Sequence, residues 1–402
     1  MNKQIQYISK NIAGKIAISG SKSESNRLLI LQKIFPNIEL KNISDSDDTK
    51  HLQEALITKS NTVDIGHAGT AMRFLIAYFS ANEGREVILT GSERMQNRPV
   101  KILVEALQSL GANIQYVDKK GFPPILIKGK KLIKNKVKIA GNVSSQYISA
   151  LLIIAPSLEN GLEIELIGKV TSVPYMKMTL AILKELGIET QWNDNIILVK
   201  PKTSIDDINI TVESDWSSAS YFYSLVALSQ NGKVNLSSYK RNSLQGDSSL
   251  IESYKHFGIE TKFDKDSIFL TKKNNPIVKP LALDLVNSPD LAQTIAVTCF
   301  GLGIACDLTG LHTLKIKETD RLIALENELG KMGADIKVTN ESLHLKASNK
   351  IKSNISIETY DDHRMAMAFA PLALKVPLTI HDSKVVTKSY TSFWEDFEAV
   401  IQ

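Results

Sequence analysis

Residues 20–30, GSKSESNRLLI, place two cations and three serines directly before an apolar run. Ser21 and Glu24 fit a capping box, in which a serine and an acidic side chain satisfy N–H groups at the start of a helix. Lys22 and Arg27 do not fit a simple helix start, because that end of a helix already carries partial positive charge. An anion such as phosphate, bound between them and beside the hydroxyls and backbone N–H groups, would explain both cations. Taken alone, the stretch leaves both interpretations open.

The same plan, a small polar cluster followed by an apolar helix, recurs along the chain. Amphipathic runs that end in glycine and lead into a strand alternate with these segments, as in ALQSLGANI (106–114) and ILKELGIET (182–190). The pattern predicts an α/β protein of about six units, each of about 70 residues in the order strand, helix, strands, helix, strand. The predicted helix-start segments are SKSESNRLLILQK (21–33), HAGTAMRFLIAYF (67–79), SSQYISALLIIA (144–155), SDWSSASYFYSLVAL (214–228), SPDLAQTIAVTCF (288–300) and DDHRMAMAFAPLAL (361–374).

The composition argues against several classes of protein. With 402 residues, 43% of them hydrophobic, and a net charge of +5, the chain has enough apolar residues for two or three domains. The most basic stretch, KGKKLIKNKVK (128–138), has no interleaved aromatic residues, so we expect no nucleic-acid partner. We find no signal peptide and no apolar run of about 18 residues, and therefore expect a cytoplasmic protein without a membrane partner.

We also expect no metal and no cofactor. Cys299 and Cys306 lie in an apolar stretch without metal-ligand spacing, and the seven histidines are scattered singly. The segment GLGIAC (301–306) has two glycines of a dinucleotide motif, but it lies within an apolar run, so we interpret it as structural.

Nine motifs, in order, resemble those of the 5-enolpyruvylshikimate-3-phosphate (EPSP) synthase family. One such motif would be weak evidence, but nine in order are specific, and they extend from about residue 12 to about residue 395. The motifs are GSKSESNR (20–27), AGTAMR (68–73), QNRPV (96–100), SSQYISALL (144–152), SDWSSASYF (214–222), RNSLQGD (241–247), KETDR (317–321), DDHRMAMAF (361–369) and TKSY (387–390).

The resemblance implies an α/β fold of two similar domains, an inverse α/β barrel. Each domain would contain three βαββαβ-type repeats around buried parallel helices. Residues 20–213 would form one domain, and residues 1–19 with 214–402 the other. The active site would lie in the cleft between the domains, where helix N-termini converge.

The resemblance also implies an activity. The family transfers the enolpyruvyl group of phosphoenolpyruvate (PEP) to the 5-hydroxyl of shikimate 3-phosphate and releases phosphate. The reaction belongs to the shikimate pathway of aromatic amino acid biosynthesis, and glyphosate competes with PEP in this family. We expect a monomer with these two small-molecule substrates and no cofactor.

The family's functional residues can be carried over to matching positions. Asp290, Glu318 and Lys22 would handle the protons, although the sequence leaves their division of labour open. Taken alone, any one of the Lys or Arg residues could equally belong to a surface ion pair, and Asp290 could equally be a helix cap. The residues implied for PEP are Lys22, Gly69, Arg98, Arg321, Arg364 and Lys388. The residues implied for shikimate 3-phosphate are Lys22, Ser23, Arg27, Ser144, Ser145, Gln146, Ser172, Asp290 and Lys317.

Three positions depart from the family pattern, and two alternatives remain open. His67 and Thr313 stand where asparagine is common, and Phe74 stands where proline is frequent, which puts the helix beginning at Gly69 in doubt. The first alternative is a UDP-N-acetylglucosamine enolpyruvyl transferase of the same fold, although that enzyme usually carries a cysteine in a mobile loop. The second is a catalytically inactive anion-binding protein.

Overall fold

The chain divides into two compact units. The computed structural model describes residues 1–6, 11–170, 173–273, 277 and 279–401. One unit, the inserted unit, spans Gly20–Val212, and the other, the split unit, combines Met1–Ser19 with Glu213–Gln402.

Each of the six predicted helix-start segments does begin a helix, as the sequence pattern predicted. These helices are apolar on most faces because they lie in the core: in the helix that begins at Trp216, every residue is buried. Residues of the helix that begins at Gly69 are buried almost as completely. The helices are α1 Lys22–Ile34, α2 Asp47–Ile57, α3 Gly69–Ala81, α4 Glu93–Gln96, α5 Lys101–Ser109, α6 Ser145–Ile154, α7 Val173–Glu185, α8 Trp216–Leu228, α9 Leu250–Lys255, α10 Ala292–Leu302, α11 Arg321–Lys331, α12 His363–Phe369 and α13 Phe393–Ile401.

The strands are short and alternate between buried and exposed residues, as expected for sheets with one face on a core. The strand that begins at Leu162 illustrates this, with Leu162, Ile164 and Leu166 buried. The strands are β1 Lys3–Ile5, β2 Asn11–Ile16, β3 Ile38–Lys41, β4 Thr62–Asp64, β5 Glu86–Thr90, β6 Asn113–Tyr116, β7 Ile125–Lys128, β8 Lys136–Ala140, β9 Leu162–Ile167, β10 Thr190–Asn193, β11 Ile196–Val199, β12 Ile208–Thr211, β13 Asn231–Ser237, β14 Ile259–Asp264, β15 Ser267–Lys272, β16 Leu281–Asp284, β17 Cys306–Thr309, β18 Ile336–Val338, β19 Leu343–Leu345, β20 Ile355–Ile357 and β21 Leu378–Ile380.

Each sheet in the described residues contains one parallel strand pair. In the inserted unit the sheets have the orders β12–β3, β4–β5–β7–β6 and β10–β11–β9–β8. In the split unit they have the orders β14–β15–β13–β2, β16–β17–β19–β18 and β1–β21–β20. The four-stranded sheets repeat one pattern, in which a parallel pair such as β8 and β9 continues into two antiparallel strands. Six sheets, three in each unit and each with one parallel pair, therefore accompany the six predicted helix-start segments.

The first strands of the chain pair with strands far along it. β2 pairs in parallel with β13, and β1 pairs antiparallel with β21, where Lys3 lies opposite Ile380. The split unit is therefore held together by strands from both of its chain segments.

Glycine ends several of the amphipathic helices in the way that the sequence predicted. Gly187, just after α7, has φ = 71°, which suits glycine because it lacks a Cβ atom. Gly303, after α10, is left-handed at φ = 73°, and its N–H donates to the Phe300 carbonyl. The segment GLGIAC is thus the end of α10 and the start of β17, which confirms that it is structural.

Candidate functional site

In the inserted unit, α1, α3 and α6 bring their N-terminal ends together. Near these ends, Gln146 Nε2 on α6 donates to Thr70 Oγ1 on α3, at 3.1 Å. One turn further, Arg27 on α1 lies 5.4 Å from the centre of the Phe74 ring and donates from Nη2 to Ser149 Oγ at 2.9 Å. Because contacts occur between matching levels of the three helices, the helices run in the same direction. The motifs GSKSESNR, AGTAMR and SSQYISALL therefore meet at one end of this unit.

Arg27 is a buried cation that ties α1 to two other helices. Its side chain donates to Thr179 Oγ1 at 2.8 Å and also bonds the Ser23 carbonyl. Burial lowers the pKa of Arg27 to about 10. With the residue only 2% exposed, the guanidinium is already well supplied with partners. Its predicted contact with shikimate 3-phosphate stays a prediction.

Lys22 is the first residue of α1, and its surroundings correct one sequence interpretation. Ser21 occupies the N-cap position but makes no side-chain capping hydrogen bond, so the Ser21 half of a capping box is not formed. Glu24, the acidic residue of that pattern, is buried, and its charge partly offsets the lowering of the Arg27 pKa by burial. Lys22 Nζ lies 3.6 Å from Asp48 Oδ2, and its side chain is 20% exposed.

Gly69 and Arg98, from two separate motifs, lie directly against each other. A Cβ atom built on Gly69 would lie 2.3 Å from Arg98 Nη1 and 3.0 Å from its Cζ. Gly69 is also the first residue of α3, so its N–H belongs to the first turn, where backbone donors have no partner within the helix. A cation and an unbonded helix end side by side are a suitable arrangement for an anion.

The remaining predicted residues of the inserted unit lie mainly at the start of α6. Ser144 is its N-cap and accepts a hydrogen bond from the Gln146 N–H at 3.4 Å, and Ser145 follows as the first helical residue. Ser23 lies in the first turn of α1. Ser172 lies outside the described residues.

In the split unit, Asp290 gathers three of the predicted cations. Its carboxylate accepts hydrogen bonds from Arg321 Nη1 at 2.7 Å and Arg364 Nη2 at 3.0 Å, and it lies 3.4 Å from Lys317 Nζ. Asp290 lies in a short 3₁₀ turn, Pro289–Leu291, ahead of α10. Its carboxylate faces the cations rather than capping a helix.

The charges around Asp290 decide its protonation. Burial of this carboxyl opposes ionisation, but Arg364, Lys317 and Arg321 outweigh that effect and hold the pKa of Asp290 well below its usual range. Without an anionic ligand, Asp290 is therefore ionised and a weak base.

Arg321 is held from three sides by carboxylates. Beyond Asp290, its Nε donates to Asp362 at 2.6 Å and its Nη2 donates to Glu318 at 2.7 Å. Burial would lower the pKa of Arg321, but Asp362, Glu318 and Asp290 together raise it. Asp362 also caps α12 by accepting from the Arg364 N–H at 2.9 Å.

Lys388 bonds a strained turn. Its Nζ donates to the Asp361 carbonyl at 2.7 Å. Tyr360 and Asp361 both have left-handed backbones, at φ = 54° and 55°. The Tyr360 hydroxyl donates to Glu328 Oε1 at 2.6 Å, and this hydrogen bond ties the turn to α11.

Sequence reasoning missed two residues of this cluster, Ser217 and Asp247. Arg364 Nη2 donates to Ser217 Oγ at 3.2 Å, and Ser217 Oγ in turn donates to Asp247 Oδ2. Burial, with the nearby charge of Asp290, raises the pKa of Asp247 to about 7. Asp247 is the last residue of the motif RNSLQGD, and this position was the signal in the sequence that could have identified it.

The departures from the family pattern leave the helix starts in place. α3 begins at Gly69 and continues through Phe74, which is buried within it. His67 Nδ1 lies 2.8 Å from Ser92 Oγ. Thr313 lies in the 3₁₀ turn His312–Ile316 that precedes the KETDR motif.

Three further observations on the described residues concern membrane insertion, metal binding and a separate cavity. No described helix is both long and apolar enough to cross a bilayer. The described residues contain no group of three or more His, Cys, Asp or Glu side chains placed to hold a metal ion. A cavity of about 400 Å³ in the split unit is lined by Asp307, Asp335 and His344, away from the cluster around Asp290.

Comparisons with known proteins match almost the whole chain. The family model for EPSP synthase (3-phosphoshikimate 1-carboxyvinyltransferase) matches residues 52–397. Proteins named 3-phosphoshikimate 1-carboxyvinyltransferase from two Bacteroides fragilis strains, YCH46 and ATCC 25285, are 45% identical over 96% of this chain and 94% of their own length. The protein of that name from Histophilus somni strain 2336 is 36% identical over 97% of this chain and 96% of its own length.

A solved structure supports the fold independently. EPSP synthase from Acinetobacter baumannii matches with a TM-score of 0.81 at 22% identity, over 100% of this chain and 98% of that chain. This match confirms the predicted α/β fold of repeated units. With the sequence matches, it leads to one conclusion: the chain belongs to the EPSP synthase (3-phosphoshikimate 1-carboxyvinyltransferase) family.

Proposed function

We propose that the protein transfers the enolpyruvyl group of PEP to the 5-hydroxyl of shikimate 3-phosphate and releases inorganic phosphate. The relatives at 45% identity, which are named for this activity, support the proposal. In the reaction, the hydroxyl oxygen adds to C2 of PEP while C3 accepts a proton. The tetrahedral intermediate then loses phosphate and a proton from the former C3.

The observation that carries the proposal is the cluster of Lys317, Arg321 and Arg364 on the Asp290 carboxylate. Arginine matches carboxylate and phosphate with paired, planar hydrogen bonds, and PEP has one of each group. In the split unit, the arginines therefore bind carboxylates of the protein itself. An anionic substrate can replace these carboxylates as the partner of the arginines.

Replacement of these partners would prepare Asp290 for catalysis. When Arg321 and Arg364 turn to PEP, two of the three cations that lower the Asp290 pKa are redirected. The pKa of Asp290 then rises toward its ordinary value, and the carboxylate becomes a stronger base for the 5-hydroxyl proton. Glu318, freed from Arg321 in the same exchange, is available near C3 of PEP, and Lys22 supplies a further proton donor.

We assign the substrates to the remaining residues as the family resemblance implies. PEP would contact Lys22, Gly69 and Arg98 of the inserted unit and Arg321, Arg364 and Lys388 of the split unit. Shikimate 3-phosphate would contact Lys22, Ser23, Arg27, Ser144, Ser145, Gln146, Ser172, Asp290 and Lys317. The adjacency of Gly69 and Arg98, and of α3 and α6 at Gln146, supports the assignments within the inserted unit.

Phosphate release from PEP tests the activity directly. We expect release with shikimate 3-phosphate as acceptor and none with UDP-N-acetylglucosamine, in buffer without added metal. Equal release with both acceptors would overturn the substrate assignment. No release with either acceptor would favour the inactive anion-binding protein.

We further propose that the protein acts as a cytoplasmic monomer. The proposal extends the expectation made from the sequence. Light scattering at micromolar concentration should give a mass near 44.5 kDa. A mass of twice that value would contradict the monomer.

A further inference from the structure

Arg73 is a buried cation in the second turn of α3, four residues after Gly69. Its Nη1 donates to the Gly69 carbonyl at 3.0 Å, and its Nη2 donates to the Pro99 carbonyl at 3.2 Å. The residue is 3% exposed. One planar side chain thus joins the first residue of α3 to the residue that directly follows Arg98.

The contacts of Arg73 leave its charge poorly compensated. Its hydrogen-bond partners in the described part of the chain include two carbonyls, Met95 Sδ at 3.4 Å and the Tyr147 hydroxyl, which are all neutral, and the charge of Asp48 acts on it more weakly than burial does. Its Nε is buried without a partner among the described residues. Burial, followed by the charge of Arg98, lowers the pKa of Arg73 to about 10. A buried cation without a carboxylate partner is costly, which suggests a role beyond stability.

The Pro99 carbonyl receives a second donor from another helix. Tyr147 on α6 donates its hydroxyl to the same oxygen at 2.6 Å. The segment that carries Arg98 is therefore fixed by α3 on one side and by α6 on the other. Arg98 itself lies over the Gly69 Cα, within the region that Arg73 bridges.

We propose that Arg73 is a positioning residue that holds the segment of Arg98 against the start of α3, so that the Arg98 guanidinium is in place when PEP binds. The inference rests on the proposed function, in which Arg98 contacts PEP. Arg73 does not touch the substrate; it acts through the two carbonyls and adds positive potential at the site. Preorganised cations avoid the loss of side-chain freedom on binding, so their support raises affinity without a new contact.

Steady-state kinetics of two variants test the role. Arg73→Lys keeps the charge but its single ammonium cannot bridge both carbonyls as the planar fork does, and Arg73→Met removes the charge at similar length. We expect the KM for PEP to rise about tenfold in both, with less than about twofold change in the KM for shikimate 3-phosphate. Ile197→Ala, a buried change in β11, is the control and should lower the melting temperature without changing the ratio of the two KM values.

A double-mutant cycle separates positioning from general destabilisation. If Arg73 acts through Arg98, Arg73→Lys should raise the PEP KM little further in an Arg98→Ala background. An additive effect, or equal rises in both KM values, would overturn the proposal, and so would an unchanged PEP KM in folded Arg73→Met. If Arg73→Met does not fold, Arg73→Lys and the cycle still decide.

Equilibrium titration with PEP distinguishes a failure of this inference from a failure of the proposed function. A wild-type protein that binds PEP but releases no phosphate would contradict the proposed function alone. The weaker PEP binding of Arg73→Lys would then still be measurable. A wild-type protein that does not bind PEP would overturn both.

Discussion

Asp290 illustrates how a residue's role depends on its neighbours rather than on its own chemistry. Three cations surround its carboxylate, and their combined charge exceeds that of the single acid. Without substrate they hold the pKa of Asp290 well below its usual range. In the proposed function, two of these cations, Arg321 and Arg364, also bind PEP, so that substrate binding and activation of the base would be parts of one exchange.

Asp290→Asn should lower kcat far more than it changes the KM for shikimate 3-phosphate. The amide keeps the size and one acceptor oxygen but cannot take a proton, and a general base commonly contributes about 10²–10⁴-fold. Asp335→Asn, which removes an exposed carboxylate paired with Lys346, is the matched control and should turn over normally. Near-normal turnover by Asp290→Asn would show that another group accepts the proton.

Asp247 gives the split unit a predictable dependence of stability on pH. Its pKa is about 7 in the folded protein, because of burial and the charge of Asp290, against about 3.9 in an unfolded chain. The folded protein therefore binds more protons at this position between those values. Its stabilising contribution is complete below about pH 4 and is lost as the pH rises through 7.

Asp247→Asn should flatten that pH dependence. We expect the free energy of unfolding to fall less between pH 4 and 7 in the variant than in the wild type, because the amide cannot lose a proton. Asp206→Asn, at an exposed position, should leave the wild-type slope unchanged. Parallel curves for Asp247→Asn and the wild type, from urea unfolding at several pH values, would show that Asp247 does not titrate in this range.

At the scale of elements, the turn before α12 carries backbone strain next to candidate site residues. Tyr360 and Asp361 adopt left-handed backbones that are unfavourable for residues other than glycine, and they directly precede Asp362 and α12. The Tyr360 hydroxyl bonds Glu328 Oε1, and Glu328 is fully buried in α11. α11 therefore supports the turn whose Asp361 carbonyl bonds Lys388.

Tyr360→Phe should destabilise the protein by about 1–3 kcal/mol, because it removes a donor from a buried carboxylate. The change should also raise the KM for PEP if the turn positions Lys388. Tyr78→Phe on α3, at a half-buried tyrosine, is the control and should change stability less. Unchanged denaturant midpoints for Tyr360→Phe would mean that the turn is held by its other contacts.

Helix starts were predictable from the sequence, but the partners of polar side chains were not. Polar clusters followed by apolar runs located α1, α3 and α6 because that pattern reflects burial. The Ser21 side chain makes no capping hydrogen bond, although its spacing from Glu24 fits a capping box. The contacts of Arg321 with Asp290 and Asp362, and the link from Ser217 to Asp247, could not be predicted because they form only when separate segments are folded together.

At the scale of the whole molecule, the candidate residues are divided between two units with separate cores. Arg98 belongs to the inserted unit and Arg364 to the split unit. If both bind PEP, each should be required for any stabilisation that a PEP-like ligand provides. Stabilisation by ligand follows mass action and reaches about 2.7 kcal/mol at a concentration of 100 times Kd.

Thermal unfolding with shikimate 3-phosphate and an unreactive PEP analogue should test this division. The analogue should raise the melting temperature of the wild type, and Arg98→Ala or Arg364→Ala should each abolish most of that increase. Lys136→Ala, which removes an exposed ion pair with Glu163, should keep the full increase. A full increase in either arginine variant would mean that its unit is not needed for the analogue.

The pairing of β1 with β21 has a consequence for biosynthesis. On a ribosome, Lys3 emerges long before Ile380, and at about 5–20 residues per second the delay is roughly 20–75 s. The inserted unit meets a shorter delay, because its strands all lie within residues 20–212 and its most distant pairing joins Ile38 to Ile208. We therefore expect the nascent chain to complete the inserted unit first, while β1 and β2 wait unpaired for strands that have not yet been translated.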